Sequence, residues 1–323
     1  MLEPFLLERR LVPKVWGGRA LHDVLGIPLP PGSQTYGESW ELFDRADGAS
    51  RVRGTGVTLT ELVRRDPVAL VGRGVPLGHG GRFPLLLKFL DAHDGLSLQV
   101  HPDDRRAQLD SGKDECCYVM AAGDDARIVH GVMPGVTREQ FLQKWETAEV
   151  EGLLYSFRPE VGDLVHIPPG MVHGIGPGVL AFEIQQNSDL TYRFYDWGRG
   201  RELHLDQARN VLDVVAHVQR PVERPTALPD GGDLLLVTEH FTVRRYLTKR
   251  PVTLPTDGRY LTVTVLGGGC TLRRSERGQQ GRLTMSRCDT ALVPACVAGV
   301  VVEPDEQVEM IVCGPGVRGS GAR

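Results

Sequence analysis

The stretch Gly162-Asp-Leu-Val-His-Ile-Pro-Pro-Gly-Met-Val-His173 has the form G-x5-P-x-G-x2-H. It reads as a strand, a tight turn set by Pro and Gly, and a second strand carrying one histidine. Upstream stands Gln99-Val-His101, whose polar residues are two apart and so share one side of a strand. Glu115 follows a Gly112-Lys-Asp turn. Gln99, His101, Glu115 and His173 together offer an amide oxygen, two imidazoles and a carboxylate. Those donors suit a divalent metal such as zinc. A metal held among strands points to an enzyme.

Around this set, Gly and Pro cut the chain into short apolar runs, as expected of many strands joined by turns. Examples are Phe83–Leu90, Leu96–Val100, Cys117–Met120, Asp163–Ile167 and Leu180–Ile184. Helical pattern is confined to Thr58–Val71, a capping box at Thr137 leading into Phe141, Leu142 and Trp145, a short helix over Thr147–Tyr155, and Leu205–Val218. A Pro-rich connector begins at Gln219. Beyond it, strands are predicted at Phe241–Tyr246, Tyr260–Leu266, Thr290–Pro294 and Gln307–Cys313, before a loose Gly-rich tail from Gly314 to Arg323.

The G-x5-P-x-G-x2-H string resembles the second motif of cupin barrels, where the turn delivers one histidine to a metal site founded on the first motif. The usual first motif is His-x-His followed closely by Glu. Here Gln99-x-His101 and the later Glu115 stand in its place, and His166 and His130 compete as ligands. The expected fold is mainly β: a cupin (jelly-roll) barrel over residues 1–218 with a small helical insertion at about 137–155. A second, smaller C-terminal β-barrel lobe follows over 219–323. That lobe is expected to be cupin-like and metal-free, since it holds only His240 and its turn Leu292-Val-Pro-Ala-Cys-Val has no histidine.

A net charge of -4 gives no electrostatic case for nucleic acid or an anionic membrane, so any cationic ligand-binding group must act locally. The six cysteines form no C-x-x-C pair, and buried reduced thiols are expected rather than a disulfide framework. An acidic Glu3 stands where a signal peptide is basic, and no apolar run is long enough to span a membrane. A cytoplasmic protein, monomer or homodimer, is expected.

Further segments sharpen the assignment. Pro84-Leu-Leu-Leu-Lys88-Phe-Leu-Asp-Ala, Leu96-Ser97-Leu-Gln99-Val-His101-Pro-Asp-Asp, Gly112-Lys113-Asp-Glu115, Pro169-Gly170-Met-Val-His173 and Ser188-Asp189-Leu-Thr-Tyr-Arg193 occur in this order. Lys14-Val-Trp16-Gly-Gly, Gly37-Glu38-Ser39-Trp40 and Arg201-Glu-Leu-His accompany them. From about Lys14 to Asp213 the chain resembles type I mannose-6-phosphate isomerases in their short bacterial form. The resemblance implies one zinc ion held by Gln99, His101, Glu115 and His173, with Arg193 as an essential arginine. It also implies interconversion of D-mannose 6-phosphate and D-fructose 6-phosphate through an enediol.

Such an isomerase needs a base, and electrophiles near the sugar oxygens. Arg193 suits a phosphate or a developing enediolate. Lys88 and Lys113 precede ligand-bearing segments and offer point charges. Ser97 shares the face of Gln99 and His101, placing its hydroxyl for a phosphate oxygen. Glu183 is the candidate base, Lys113 a further catalytic group, and Asp189 a partner orienting Arg193. Trp16 and Glu38 are candidate sugar contacts. Two other classes stay open: an iron-dependent cupin oxygenase, disfavoured by Gln99, and a non-catalytic, metal-stabilised sugar-phosphate-binding cupin.

Overall fold

The computed structural model describes residues 2–215, 221–275 and 281–317. The expected helix end at Val218, the boundary at 218/219 and the tail from residue 318 lie outside the described residues. The chain forms two compact units: one of residues 11–40 and 87–223, the other of residues 1–10, 41–86 and 224–323.

The first unit is built on two sheets. One has six strands in the order Leu164–Ile167, Glu115–Ala122, Val179–Gln186, Leu85–Ala92, Tyr36–Leu42, Arg10–Gly18. The other has five, ordered Leu154–Phe157, Ile128–Val132, His173–Ile175, Leu98–Val100, Tyr192–Tyr195. Alternation along the strands sorts their side chains. Leu90, Ala92, Cys117, Val119, Val165, Ile167 and Ala181 of the six-stranded sheet form one core cluster with Ile128 and Ile175 of the other. The two sheets therefore face each other.

On the outer face of the five-stranded sheet, Leu98, Val100 and Val132 pack with Phe141, Trp145, Val150, Ala208 and Val211. With Leu98 and Val100 directed outward, Ser97, Gln99 and His101 are left on the inner face. The helix Arg138–Lys144 belongs to that outer cover. It opens on a capping box, Thr137 Oγ1 accepting from the Gln140 N–H while Gln140 Oε1 accepts from the Thr137 N–H. Trp145 stacks on Phe194 with ring centroids 5.4 Å apart, and Phe141 meets the same ring edge-on at 5.7 Å.

Three expected helices come out shorter. Thr58–Val71 is two helices, Leu59–Arg65 and Pro67–Leu70, because Pro67 has no N–H to continue the first and Asp66 caps the second. Thr147–Tyr155 becomes a 3-10 turn, Ala148–Leu153, and then the strand Leu154–Phe157, drawn into pairing with Ile128–Val132. Leu205–Val218 stops at Val211, because the chain beyond bonds to the sheet region instead: Asp213 N–H donates to the Gly170 carbonyl and Val132 N–H to the Val215 carbonyl.

The second unit holds a nine-stranded sheet, with Phe5–Leu6 pairing to Leu292 and Ala291 at one edge. Its two longest strands, Leu261–Arg274 and Gly299–Pro315, pair along most of their length with register shifts near Gly267 and Gly268. Gly268 has φ +76, and a Cβ there would stand 1.9 Å from the Gln307 carbonyl oxygen, so the bulge requires glycine. Valines dominate the core beneath it, among them Val263, Val265, Val300, Val302 and Val312. Among the described residues no helix is long and apolar enough to cross a membrane, and all six cysteines are free.

Candidate active site

The turn after Ile167 fixes the first ligand. Gly170 sits at φ +86, and a Cβ there would lie 2.4 Å from Asp213 Oδ2, so only glycine fits. Its N–H donates to the His101 carbonyl at 2.8 Å, tying the turn to the neighbouring ligand segment. His173 then opens its strand directly opposite Gln99, whose other neighbour in register is Arg193. Arg193, Gln99 and His173 thus form a row across the five-stranded sheet. Strands are about 4.8 Å apart, so the row spans roughly 10 Å. Glu115 reaches the same space from the opposite sheet.

His101 Nε2 lies 3.4 Å and His173 Nε2 3.2 Å from Glu115 Oε1, and all three side chains are almost fully buried. His101 Nδ1 is 2.7 Å from the Leu190 carbonyl and His173 Nδ1 2.9 Å from the Met171 carbonyl. Each imidazole thereby donates Nδ1–H outward and turns its Nε2 lone pair to the centre. Tetrahedral zinc with bonds of about 2.0–2.2 Å needs ligand atoms about 3.3 Å apart, which these separations match. His101, Glu115 and His173 are also the group of donors, all within 4.8 Å of one another, that could hold an ion among the described residues. The set fits a divalent metal. Gln99 presents its amide to His173 Nε2 at 3.1 Å, and turned over, the amide would offer its oxygen to the same centre.

Lys113 Nζ lies 2.7 Å from Glu115 Oε2 and 3.1 Å from His101 Nε2. Burial works against ionising Glu115, but the adjacent Lys113 charge above all holds the carboxyl well below its ordinary value. Burial and the adjacent Lys113 charge push the His101 imidazole down to about 3, so it is neutral.

A second ion pair stands on the six-stranded sheet, where Lys88 Nζ is 2.6 Å from Glu183 Oε2 and both side chains are buried. Burial pushes the Glu183 carboxyl above its ordinary value despite the pull of Lys88. Burial opposes the Lys88 charge, yet Glu183 and Glu38 keep its ammonium protonated, above its usual range. Glu38 accepts from Trp40 Nε1 at 2.6 Å and pairs with Lys14 at 3.2 Å, and Lys88 Nζ sits 6.0 Å from the Trp40 ring centroid. Arg193 is held at Nε by Ser97 Oγ (3.0 Å) and at Nη1 by the Glu202 carbonyl (2.7 Å), with Nη2 free of partners among the described residues.

Trp16 is 3% exposed within the hydrophobic cluster between the sheets, where its large apolar ring is best buried. Asp189 is exposed and acts on Lys88 by charge, whereas Arg193 takes its orientation from Ser97 and the Glu202 carbonyl. The rival histidines are committed elsewhere: His130 Nε2–H donates to the His166 carbonyl, and His166 Nε2 lies 2.8 Å from Asp114 Oδ1. The anchoring carbonyls of Leu190, Met171 and Glu202 were missed, since a main-chain acceptor leaves no mark on residue type.

A buried His–Glu–His set between two facing sheets, with one histidine delivered by a Pro-Pro-Gly turn, defines a cupin-like site that could hold a metal ion. Residues 5–126 match the family model of the phosphomannose isomerase type I catalytic domain. The chain is 36% identical over 284 residues to the probable mannose-6-phosphate isomerase GmuF of Bacillus subtilis, covering 83% of this chain and 87% of that protein. It is 34% identical over 301 residues to the mannose-6-phosphate isomerase of Streptococcus mutans, covering 88% of each. The crystal structure of the mannose 6-phosphate isomerase from Bacillus subtilis matches with a TM-score of 0.85 at 29% identity, over 97% of this chain and 99% of that one. The chain belongs to the type I mannose-6-phosphate isomerase family.

Proposed function

We propose that the protein interconverts D-mannose 6-phosphate and D-fructose 6-phosphate, using one zinc ion held by His101, Glu115 and His173 with Gln99 beside them. What supports this is the joining, on the inner faces of two sheets, of a metal-fitting donor set with two buried ammonium groups, a carboxyl of raised pKa and an arginine with a free edge. Bound zinc would supply Lewis acidity toward a sugar oxygen.

The chain's own groups account for the rest. The Nη2 edge of Arg193 takes an anionic oxygen of the substrate. Glu183 removes the C2 proton of the aldose as the O2 proton passes to O1, and the enediol is quenched when that carboxyl returns the proton to C1. No electrons are exchanged with an outside partner, and the reverse order of steps serves the ketose. Lys88 and Lys113 offset the charge that develops on the enediolate oxygens. A cytoplasmic location follows from this reading, because phosphorylated sugars and free thiols both belong in a reducing interior.

A coupled assay for fructose 6-phosphate tests the function. Turnover should vanish with a chelator and return with zinc; a folded, zinc-restored protein without turnover would overturn it. Glu183→Gln should retain zinc and lose about 100-fold in kcat. The Glu183 pKa is raised, so the base is lost by protonation as pH falls through a value above the ordinary 4.5. The acid limb of the wild-type profile should therefore lie higher than an unperturbed glutamate would place it, and should be absent from the residual activity of Glu183→Gln.

A further inference from the structure

Beyond Arg193 the chain leaves its strand, makes a strap over residues 196–204, and returns to the same arginine. The His204 N–H donates to the Arg193 carbonyl at 2.7 Å, and the Arg193 N–H donates to His204 Nδ1 at 3.3 Å. The Glu202 carbonyl accepts from Arg193 Nη1. The strap has little regular structure to keep its shape. Gly198 and Gly200 are left-handed, and Trp197 adopts φ 54, a conformation that favours glycine.

What closes the strap is Asp196, only 5% exposed. Its Oδ1 accepts from Arg199 Nη2 at 3.0 Å and from Arg201 Nη2, and its Oδ2 accepts from Arg201 Nε at 2.9 Å. The forked pair with Arg201 fixes the residue immediately before the Glu202 carbonyl. It also neutralises charge, because Arg193, Arg199 and Arg201 crowd together; burial and then the Arg201 and Arg199 charges depress Arg193 below its ordinary value.

We propose that Asp196 is a positioning residue: by clamping Arg201 it sets the Glu202 carbonyl that aims the Arg193 guanidinium at the substrate anion. This rests on the reading of Arg193 as the group that receives that anion. Without the carboxylate, positive groups repel, the strap loosens, and Arg193 keeps Ser97 as its one side-chain anchor.

The test uses the zinc-loaded full chain and two readouts. In calorimetry, Asp196→Asn should bind fructose 6-phosphate about tenfold more weakly at unchanged zinc content. Asp196→Asn combined with Arg193→Ala should bind no more weakly than Arg193→Ala alone, because a positioning residue acts only through its client. Wild-type affinity in folded Asp196→Asn, or an equal loss in both backgrounds, would overturn the proposal.

Should Asp196→Asn not fold, Arg201→Lys keeps the charge and loses the fork, and several-fold weaker binding is expected. Unchanged affinity there would also count against it. The second readout is the 15N–1H resonance of Arg193 Nε–H, which should shift and broaden in the Asp196 or Arg201 variant. If the wild type binds no fructose 6-phosphate, the proposed function fails and this resonance alone decides the positioning role, an unchanged signal overturning it.

Discussion

Arg193→Ala is expected to lower turnover by about 1,000-fold or more while leaving zinc content and melting temperature near those of the wild type. The separation follows from geometry. Arg193 is two strands from His173, is half-buried, and bonds to Ser97 and a carbonyl rather than to a metal-fitting donor. Removing it strips no donor from the metal centre and leaves no carboxylate unpaired. Its free Nη2 edge is what a substrate anion loses. Metal analysis beside the coupled assay checks this, and joint loss of zinc and activity would mean that Arg193 is structural. Arg193→Lys should recover little, since an ammonium cannot hold Ser97 and the Glu202 carbonyl while presenting a third edge.

Glu115→Gln should act on two levels at once, with zinc content and turnover both falling toward background and the fold itself weakened. Glu115 is the shared partner of His101, His173 and Lys113, and its side chain is 1% exposed. Removing its charge leaves the buried Lys113 ammonium unmatched, and breaking such a pair costs about 3–5 kcal/mol. Denaturant unfolding of the metal-free protein isolates that part. Adding Lys113→Met to Glu115→Gln should restore much of the stability, because the unmatched charge is gone, yet restore no turnover. A double variant no more stable than Glu115→Gln would show that the pair is not what the carboxylate stabilises.

Much of this site can be read in the sequence because its residues are constrained twice. Gly170 is fixed by a left-handed turn, and His173 by the strand that the turn launches, so spacing alone announces both. Gln99 and His101 are legible for the same reason: a two-residue period puts them on one face, and the apolar Leu98 and Val100 mark the other. Glu183 was legible only as a polar residue in an apolar strand, and its partner Lys88 came from a distant segment with no pattern linking the two. Trp16 is hard to assign from sequence because an aromatic serves a core as readily as a sugar face. The shortened helices misled because local periodicity does not register that Val215 and Leu154 have sheet partners waiting. Least legible was the Asp196 strap, whose order depends on one carboxylate rather than on any repeat.

The anchoring of both histidines by main-chain carbonyls has a consequence for how the centre loads. A site whose imidazoles are protonated must expel protons as it fills, and its affinity then rises and falls with pH. Burial and the Lys113 charge hold His101 neutral, with its Nδ1–H committed to the Leu190 carbonyl. An ion held by His101 and Glu115 would therefore take the place of the Lys113 ammonium rather than of a proton on the ring. At that ring, loading would be an exchange of one cation for another. Because no substitution can delete a carbonyl, the aim of the two ligands is insulated from mutation everywhere except in the short turns that carry Met171 and Leu190.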